Sequence, residues 1–418
     1  MFYRETEFQD SPLGKIPRNW DIVKLGESCT YNKGKKPDKI EEEYVEGYLP
    51  YLSTRYLRED WTAKFAKSSE KVITVSEGDL ILLWDGSNAG EVFLAKRGIL
   101  SSTMVKIALK EQRHNVKFLF YMLKMSEHYL KGQTKGTGVP HVDSNVLDRL
   151  VIPIPKLPEQ ENIVRVLGDV DSAIDLTDKV IAKTERLKKG LMQQLLTRGI
   201  GHTELEVTEL GKTPKEWQVT KLGDVVIDGP QNGLYKQAKH YGDGIAIVRI
   251  DSFSSGSEIE PTTLKRIRLE KPELKCYSLN RGDIVLNRVN SIDHVGKSVV
   301  IRELSEPVVF ESNMMRFNVD EKVVNPAFLV TYLNCPKALS YIRSNAKRAV
   351  HQASVNQEDV KSIPIPVPPI EEQQKINSIL SAIEAKLKLE LAERKKLERT
   401  KHGLMDLLLT GKVRIKVD

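Results

Sequence analysis

The chain lacks most of the features that mark an enzyme or a membrane protein. It has only three cysteines, Cys29, Cys276 and Cys335. They are far apart and odd in number, which supports neither a disulfide framework nor a zinc site. The eight histidines form no metal-binding spacing, so no metal site is expected. No apolar run reaches the roughly 18 residues of a membrane span. The opening stretch, Met1–Gln9, is polar and lacks the basic-then-apolar pattern of a secretory signal. A cytoplasmic chain with reduced thiols and no membrane contact is therefore expected.

Catalytic signatures are also missing. No Gly-x-Gly-x-x-Gly follows a strand, and no Asn-Pro-Pro-Tyr or Asp-Pro-Pro-Tyr motif for adenine methylation occurs. Pro368-Pro369 has the wrong neighbours for it. Gly296-Lys297-Ser298 resembles the end of a P-loop, but the required first glycine is Ser291. The corresponding Gly90-Glu91-Val92 has no lysine, so both segments read as turns. There is no nucleophile elbow, although sequence alone leaves a Ser–His–Asp triad open.

What the chain does have is ordinary core material and a positive balance. Hydrophobic residues make up 40% and charged residues 29% of the 418, with a formal net charge of +7. That length suits two or three domains. A basic balance favours a polyanionic partner, but Lys and Glu are interspersed here and the charge alone is weak evidence.

The strongest feature is a repeat. Leu13-Gly14-Lys15-Ile16-Pro17-Arg18-Asn19-Trp20 returns as Leu210-Gly211-Lys212-Thr213-Pro214-Lys215-Glu216-Trp217. Gly78-Asp79-Leu80-Ile81-Leu82 returns as Gly282-Asp283-Ile284-Val285-Leu286. Ser102-Thr103-Met104-Val105-Lys106 returns as Ser312-Asn313-Met314-Met315-Arg316. Ile152-Pro153-Ile154-Pro155 returns as Ile363-Pro364-Ile365-Pro366, and Leu195-Leu196-Thr197 as Leu408-Leu409-Thr410. The offset grows from 197 at Gly14 to 213 at Leu195, so the second copy is longer by about 16 residues, added between anchors. The anchors are mostly apolar or turn residues. The segments between them differ, and Lys33–Asp60 has little in common with Gln231–Ser257.

Each copy opens with a turn and a tryptophan expected in the core. Short strand-like runs follow, at Val72–Val75, Leu80–Leu83, Ile245–Val248, Ile284–Leu286 and Ser298–Ile301. One amphipathic helix is expected near Val116–Leu130 and its counterpart near Pro326–Ser344. Each globular part therefore reads as mixed α/β. The Pro-rich runs Ile152–Pro158 and Ile363–Pro369 should act as stiff extended lead-ins.

A long helix should follow each lead-in. Acid at Glu159, Glu161, Glu371 and Glu372 suits helix N-termini, where the macrodipole is positive. Apolar residues then recur at 4-3 spacing: Ile163, Leu167, Val170, Ile174, Ile181, Leu191 and Leu195 in the first copy. In the second they are Ile376, Leu380, Ile383, Leu387, Leu397, Leu404 and Leu408. Such a seam over about 40 residues, ~60 Å long, needs a partner. The two helices should pair with each other, and a domain between them makes the antiparallel sense natural. The expected boundaries are 1–155 and 201–368 for the globular domains, and 156–200 and 369–418 for the helices with the tail. An ordinary helical hairpin inside a core is the alternative.

The opening Leu-Gly-Lys-x-Pro-x-x-Trp, the run Pro158-Glu159-Gln160 and the helix ending Lys189-Gly190-Leu191-Met192-Gln193-Gln194-Leu195-Leu196-Thr197 together resemble the specificity subunit of type I restriction-modification systems. The second copy, from Glu372-Gln373 to Gly403-Leu404-Met405 and Leu408-Leu409-Thr410-Gly411-Lys412, is similar. The resemblance covers nearly the whole chain. It implies an α/β chain with two similar target recognition domains, separated by a pair of long antiparallel coiled-coil helices and related by a pseudo-twofold repeat. Each domain would read half of a bipartite, asymmetric site on double-stranded DNA. Two modification subunits would carry S-adenosylmethionine, restriction subunits would use ATP, and this chain would hold no cofactor and catalyse nothing. Alternatives are a duplicated methyltransferase or endonuclease acting alone, and a scaffold that binds only proteins.

Under this resemblance, candidate DNA contacts lie where the copies differ and polar residues gather. They are Lys33, Lys35, Lys36, Arg55, Ser87, Asn88, Lys135 and His141 in the first domain. In the second they are Asn232, Lys236, Arg249, Arg288, Asn290, Lys347, Arg348 and His351. Lys and Arg would supply phosphate contacts, and loop Arg, Asn, Gln and Lys would read base edges. Lys135-Gly136-Thr137-Gly138 and Lys347-Arg348 stand out, because flexible or basic loops precede the lead-in in both copies.

Overall fold

A computed structural model describes residues 2–12, 14–59, 63–111, 114–136, 138–253, 259, 264–350 and 352–416. The chain divides into two units. One comprises Met1–Lys179 with Ala392–Asp418, and the other comprises Val180–Leu391.

In the first unit, a four-stranded antiparallel sheet has the order Val92–Leu94, Leu80–Leu83, Met104–Leu109, Cys29–Lys33. All four residues of Leu80–Leu83 are buried, because this strand is central and covered on both faces. A second sheet includes Tyr48–Leu52 running parallel to Gly98–Leu100. The helix Val116–Gly132 packs on the first sheet, capped by Asn115, whose Oδ1 accepts from the N–H groups of Lys117 and Phe118.

The second unit repeats this plan. Its four-stranded sheet has the order Ser298–Val300, Ile284–Asn287, Met314–Val319, Val226–Asn232. Its second sheet sets Tyr241–Val248 parallel to Val308–Phe310. The expected single helix near Pro326–Ser344 is two helices, Pro326–Leu333 and Pro336–Asn345. Pro336 has no N–H and clashes with the preceding turn, so the helix restarts there. The Cys335 Sγ caps the new start by accepting from the Ala338 N–H.

The Pro-rich segments are extended, as expected, and each is held as a strand. Val151–Ile154 pairs with Asp21–Lys24, and Pro364–Val367 pairs with Gln218–Lys221, both antiparallel. Proline is tolerated because a two-stranded ribbon is all edge. After each ribbon a long helix begins, at Leu157–Arg198 and Ile370–Leu409.

Each unit holds part of both long helices, and within each unit they run antiparallel. In the first unit Lys401 reaches Asp171 at 2.5 Å, and Arg394 pairs with Asp178. The residue number rises on one helix as it falls on the other. In the second unit Lys188 meets Glu384 at 3.1 Å and the Thr184 hydroxyl donates to Glu390 at 3.2 Å. The apolar spine is uneven. Ile163, Leu167 and Leu408 are buried in the first unit's core, with Leu404 packed against it. Leu195, Ile376 and Leu380 enter the second unit's core, with Leu191 against it. Ile181 is buried, while Val170, Ile174, Ile383, Leu387 and Leu397 are only half-buried. Cross-helix polar pairs occupy the stretch between.

Candidate nucleic-acid interface

The same backbone hydrogen bonds build a polar cluster in both units. In the first, the N–H groups of Trp84 and Asp85 donate to the Thr103 carbonyl at 2.8 and 3.1 Å. Gly34 N–H donates to Met104 at 2.9 Å, and Val142 N–H donates to Trp84 at 2.9 Å. In the second, Arg288 and Val289 N–H donate to Asn313 at 2.9 and 3.2 Å. Gly233 N–H donates to Met314 at 3.1 Å, and Val355 N–H donates to Arg288 at 2.9 Å. Three loops are thus tied together at the end of each four-stranded sheet.

Gly34 and Gly233 make this crossing possible. A Cβ on Gly34 would lie 2.1 Å from the Ser101 carbonyl oxygen, and one on Gly233 would lie 2.2 Å from that of Glu311. Only glycine allows so close a backbone approach. This pair is a shared anchor that the otherwise unlike segments around Lys33 and Asn232 conceal. In sequence this anchor is a single shared glycine, Lys33-Gly34 against Asn232-Gly233, amid unlike residues.

Onto this frame the first unit places Lys33, whose Nζ sits 2.8 Å from Asp85. Asp85 also bridges to His141, and His141 exchanges backbone hydrogen bonds with Lys135 at 2.8 and 2.9 Å. The Lys135 Nζ lies 2.6 Å from Asp143 and holds that carboxyl below its ordinary value. Exposed Ser87 and Asn88 occupy the turn beside Asp85. Lys33, Ser87, Asn88, Lys135 and His141 therefore come together. Lys35 and Lys36 are exposed on the following loop, and Arg55 is exposed on the short helix Thr54–Glu59.

In the second unit, the Arg288 Nη1 donates to the Ser312 carbonyl at 3.0 Å. Asn290 lies on the strand Val289–Asn290, which pairs with Ala353–Ser354, itself paired with Lys347–Arg348. Asn232 joins them through Gly233. Lys347 and Arg348 are exposed, and among the described residues neither side chain has a partner. Two other candidates are occupied within the unit. Lys236 pairs with Glu273 at 2.6 Å, and Arg249 lies 3.4 Å from Glu311 with its guanidinium over the Tyr241 ring. Burial pushes the Glu311 carboxyl up, against the opposing pull of the Ile250 N–H and Arg249. His351 lies outside the described residues.

A second shared device fixes the start of each long helix. Trp20, buried, donates its indole N–H to Glu159 at 3.3 Å, and Trp217 donates to Glu372 at 3.0 Å. The next residue completes the clamp. The Gln160 Oε1 accepts from Asn115 N–H and its amide donates to the Pro155 carbonyl. Gln373 does the same with Asn325 and Pro368. The repeated Glu-Gln thus locks ribbon, tryptophan and capping asparagine to one helix turn.

Burial pushes the Cys29 thiol up to about 12, so it stays protonated and unreactive at neutral pH. Among the described residues, no group of three or more His, Cys, Asp or Glu could hold a metal, and no helix is long and apolar enough to cross a membrane.

Residues 17–186 and 214–399 match the family model described as type I restriction modification DNA specificity domain. The chain is 37% identical to the type I restriction enzyme MjaVIII specificity subunit of Methanocaldococcus jannaschii, covering 100% of this chain and 98% of the relative. It is 24% identical to the StySPI specificity subunit of Salmonella potsdam, covering 87% and 81%. The crystal structure of a type I restriction-modification S subunit from M. genitalium superposes with a TM-score of 0.60 at 15% identity, covering 96% and 97%.

Proposed function

The chain belongs to the family of type I restriction-modification DNA specificity subunits, and from that membership we propose that each unit reads one half of a bipartite duplex site through its loop cluster. One observation carries this reading. The same hydrogen-bonded frame presents different side chains in the two units: Lys33 against Asn232, Trp84 against Arg288, Gly86 against Asn290. A shared frame with unlike reading groups suits two unlike half-sites. Exposed Lys35, Lys36, Lys347 and Arg348 supply phosphate contacts. Lys236 and Arg249 would have to leave their carboxylates to take part, so they act as supports for the loops.

The partners follow from the same reading. Two modification subunits dock along the long helices, where Leu176, Leu187, Leu389 and Leu391 stand exposed. Restriction subunits join that assembly. S-adenosylmethionine and ATP are bound by the partners, the chain itself is not catalytic, and it works in the cytoplasm.

The test is a salt titration of duplex binding by the chain assembled with its modification subunit. Lys347→Glu combined with Arg348→Glu should weaken binding and flatten the dependence of log K on log salt by about one unit per lost phosphate contact. An unchanged slope removes these residues from the interface. Methylation by the chain alone would overturn the non-catalytic reading.

A further inference from the structure

We propose that the second unit holds a binding site for a small planar aromatic molecule bearing an anionic group. The site is the cleft between that unit's parts of the two long helices and the broken helix pair Pro326–Leu333 and Pro336–Asn345. It shares no residue with the loop cluster, and the inference does not depend on the DNA-reading function.

The repeat shows how the cleft arises. Asn115 and Asn325 each cap a helix and donate a backbone N–H to the glutamine of the Glu-Gln clamp, so the two helices are in register at these residues. Counting on from them, Phe120 corresponds to Val330 and Tyr121 to Thr331. In the first unit both rings are in place, with centroids 5.3 Å apart. Lys124 sits 5.7 Å from the Phe120 centroid, and Lys401 of the long helix sits 5.8 Å from that of Tyr121. In the second unit neither ring exists. Val330 and Thr331 line an opening of about 810 Å³ instead, and Lys188, the counterpart of Lys401, lines it too. The helix break adds Asn334 and Pro336 to the wall.

Size, surface and charge select the occupant. The volume falls in the range of small-molecule sites, about 300–1,000 Å³, which favour places between helices. Leu196, Val330 and Leu380 give the cleft a buried apolar floor. A ring laid on that floor replaces the contacts that Phe120 and Tyr121 make in the other unit, and Lys188 stands where Lys401 makes its cation–π contact. The rim sets the charge of the substituent. Lys188 is matched by Glu384 at 3.1 Å. Beyond that pair, Lys189, Lys297, Arg302 and Lys337 line the cleft, and Glu185 is the remaining carboxylate in the lining. Lys337 donates to a neutral acceptor, the Leu210 carbonyl, and so keeps its positive charge. A concave site lined mainly by one sign of charge focuses its field on the opposite sign. A cationic rim over an apolar floor therefore favours an anion with a flat apolar body.

The experiment uses the full chain and two fluorescent probes with the same rings. Anilinonaphthalene sulfonate is an anion, and phenylnaphthylamine lacks the sulfonate. Titration of the wild type should show a single saturable site that holds the sulfonate more tightly than the neutral probe. Thr331→Tyr puts a ring back into the cleft and should cut the affinity for both probes about tenfold or more. Lys189→Glu, at an exposed residue, should weaken the sulfonate about threefold to fivefold and leave the neutral probe unchanged. Because Lys189 is exposed, that variant tests the site even if the tyrosine disturbs the packing. Absence of saturable binding by the wild type would overturn the proposal. Sulfonate binding that ignores Thr331→Tyr lies elsewhere on the chain and overturns it too. Equal loss of both probes in Lys189→Glu, or loss of neither, rejects an anionic ligand. Release of the sulfonate in step with added modification subunit overturns the small-molecule site in favour of a protein-docking surface.

Discussion

The indole N–H of Trp217 donates to the Glu372 carboxylate at 3.0 Å, and the same carboxylate accepts from the Ile200 N–H at 2.8 Å and faces both sides of the His202 contact at 3.0 Å. One carboxylate thus joins the opening tryptophan of the second copy, the end of one long helix and the start of the other. In the first unit Glu159 plays this part for Trp20, but its further partner is the buried Arg414, from the C-terminal strand.

Glu372→Ala should orphan the Trp217 indole and the Ile200 N–H together. A buried donor left unmet costs about 1–3 kcal/mol. Ile200 is exposed and its N–H can turn to water, so the expected loss is that of the buried indole, roughly 1–3 kcal/mol for the second unit, read as a lowered thermal transition of the full chain. Glu372→Gln keeps an acceptor oxygen and should recover about half. An alanine variant as stable as wild type would show that the contact carries no weight.

Acid should act on the other clamp. Burial raises the Glu5 carboxyl, but the N–H groups of Glu7 and Thr6 and the Arg414 guanidinium outweigh it, so the value sits below the ordinary 4.5. A depressed folded-state value means that the stabilisation is complete above the ordinary value. It is lost as pH falls through the lower, folded-state value. Glu5→Gln should therefore lower Tm at pH 7, with the gap to wild type closing as pH falls through the lowered folded-state value, below the ordinary carboxyl range. Parallel Tm curves across that range would count against it.

Much of this architecture is legible in the sequence, and the reason is physical. The two helices announce themselves through local spacing, and Leu157–Arg198 and Ile370–Leu409 begin where the acidic turns place them. The tryptophans and the Gly-Asp turns recur because they are scaffold. Asp79 and Asp283 illustrate what was not legible. Each caps its own turn and also takes a cation from the neighbouring strand: Lys106 at 2.6 Å and Arg316 at 3.3 Å. Partners so far apart in the chain leave no local pattern. The Pro-rich segments are extended, as expected, but their pairing was not legible for a similar reason, since Pro153 faces Ile22 across a pairing that no window of sequence contains. At the loop cluster, sequence found residues that gather, such as Lys33 and His141. It could not see that Lys236 and Arg249 are engaged by Glu273 and Glu311.

The two units also differ in how the helix pair is filled. In the first, the buried Tyr121 donates its hydroxyl to Asp171 at 2.7 Å, and Asp171 also takes Lys401. The repeat puts Thr331 at the position of Tyr121, Glu384 at that of Asp171 and Lys188 at that of Lys401. The Glu384–Lys188 pair is kept, but the ring is gone, and a cleft of about 810 Å³ lined by Thr331, Glu384 and Lys188 takes its place. Tyr121→Thr should therefore cost about 3–5 kcal/mol, as for loss of a buried ring, and leave Asp171 without one donor. Thr331→Tyr should do the reverse. The added ring has room, and its hydroxyl comes within reach of Glu384. Burying the ring is worth roughly 1 kcal/mol after side-chain ordering, a Tm rise of about 2–4 °C in a unit of this size. Calorimetry of both variants checks this, and a fall in Tm for Thr331→Tyr would show that the cleft is not the vacancy left by the missing ring.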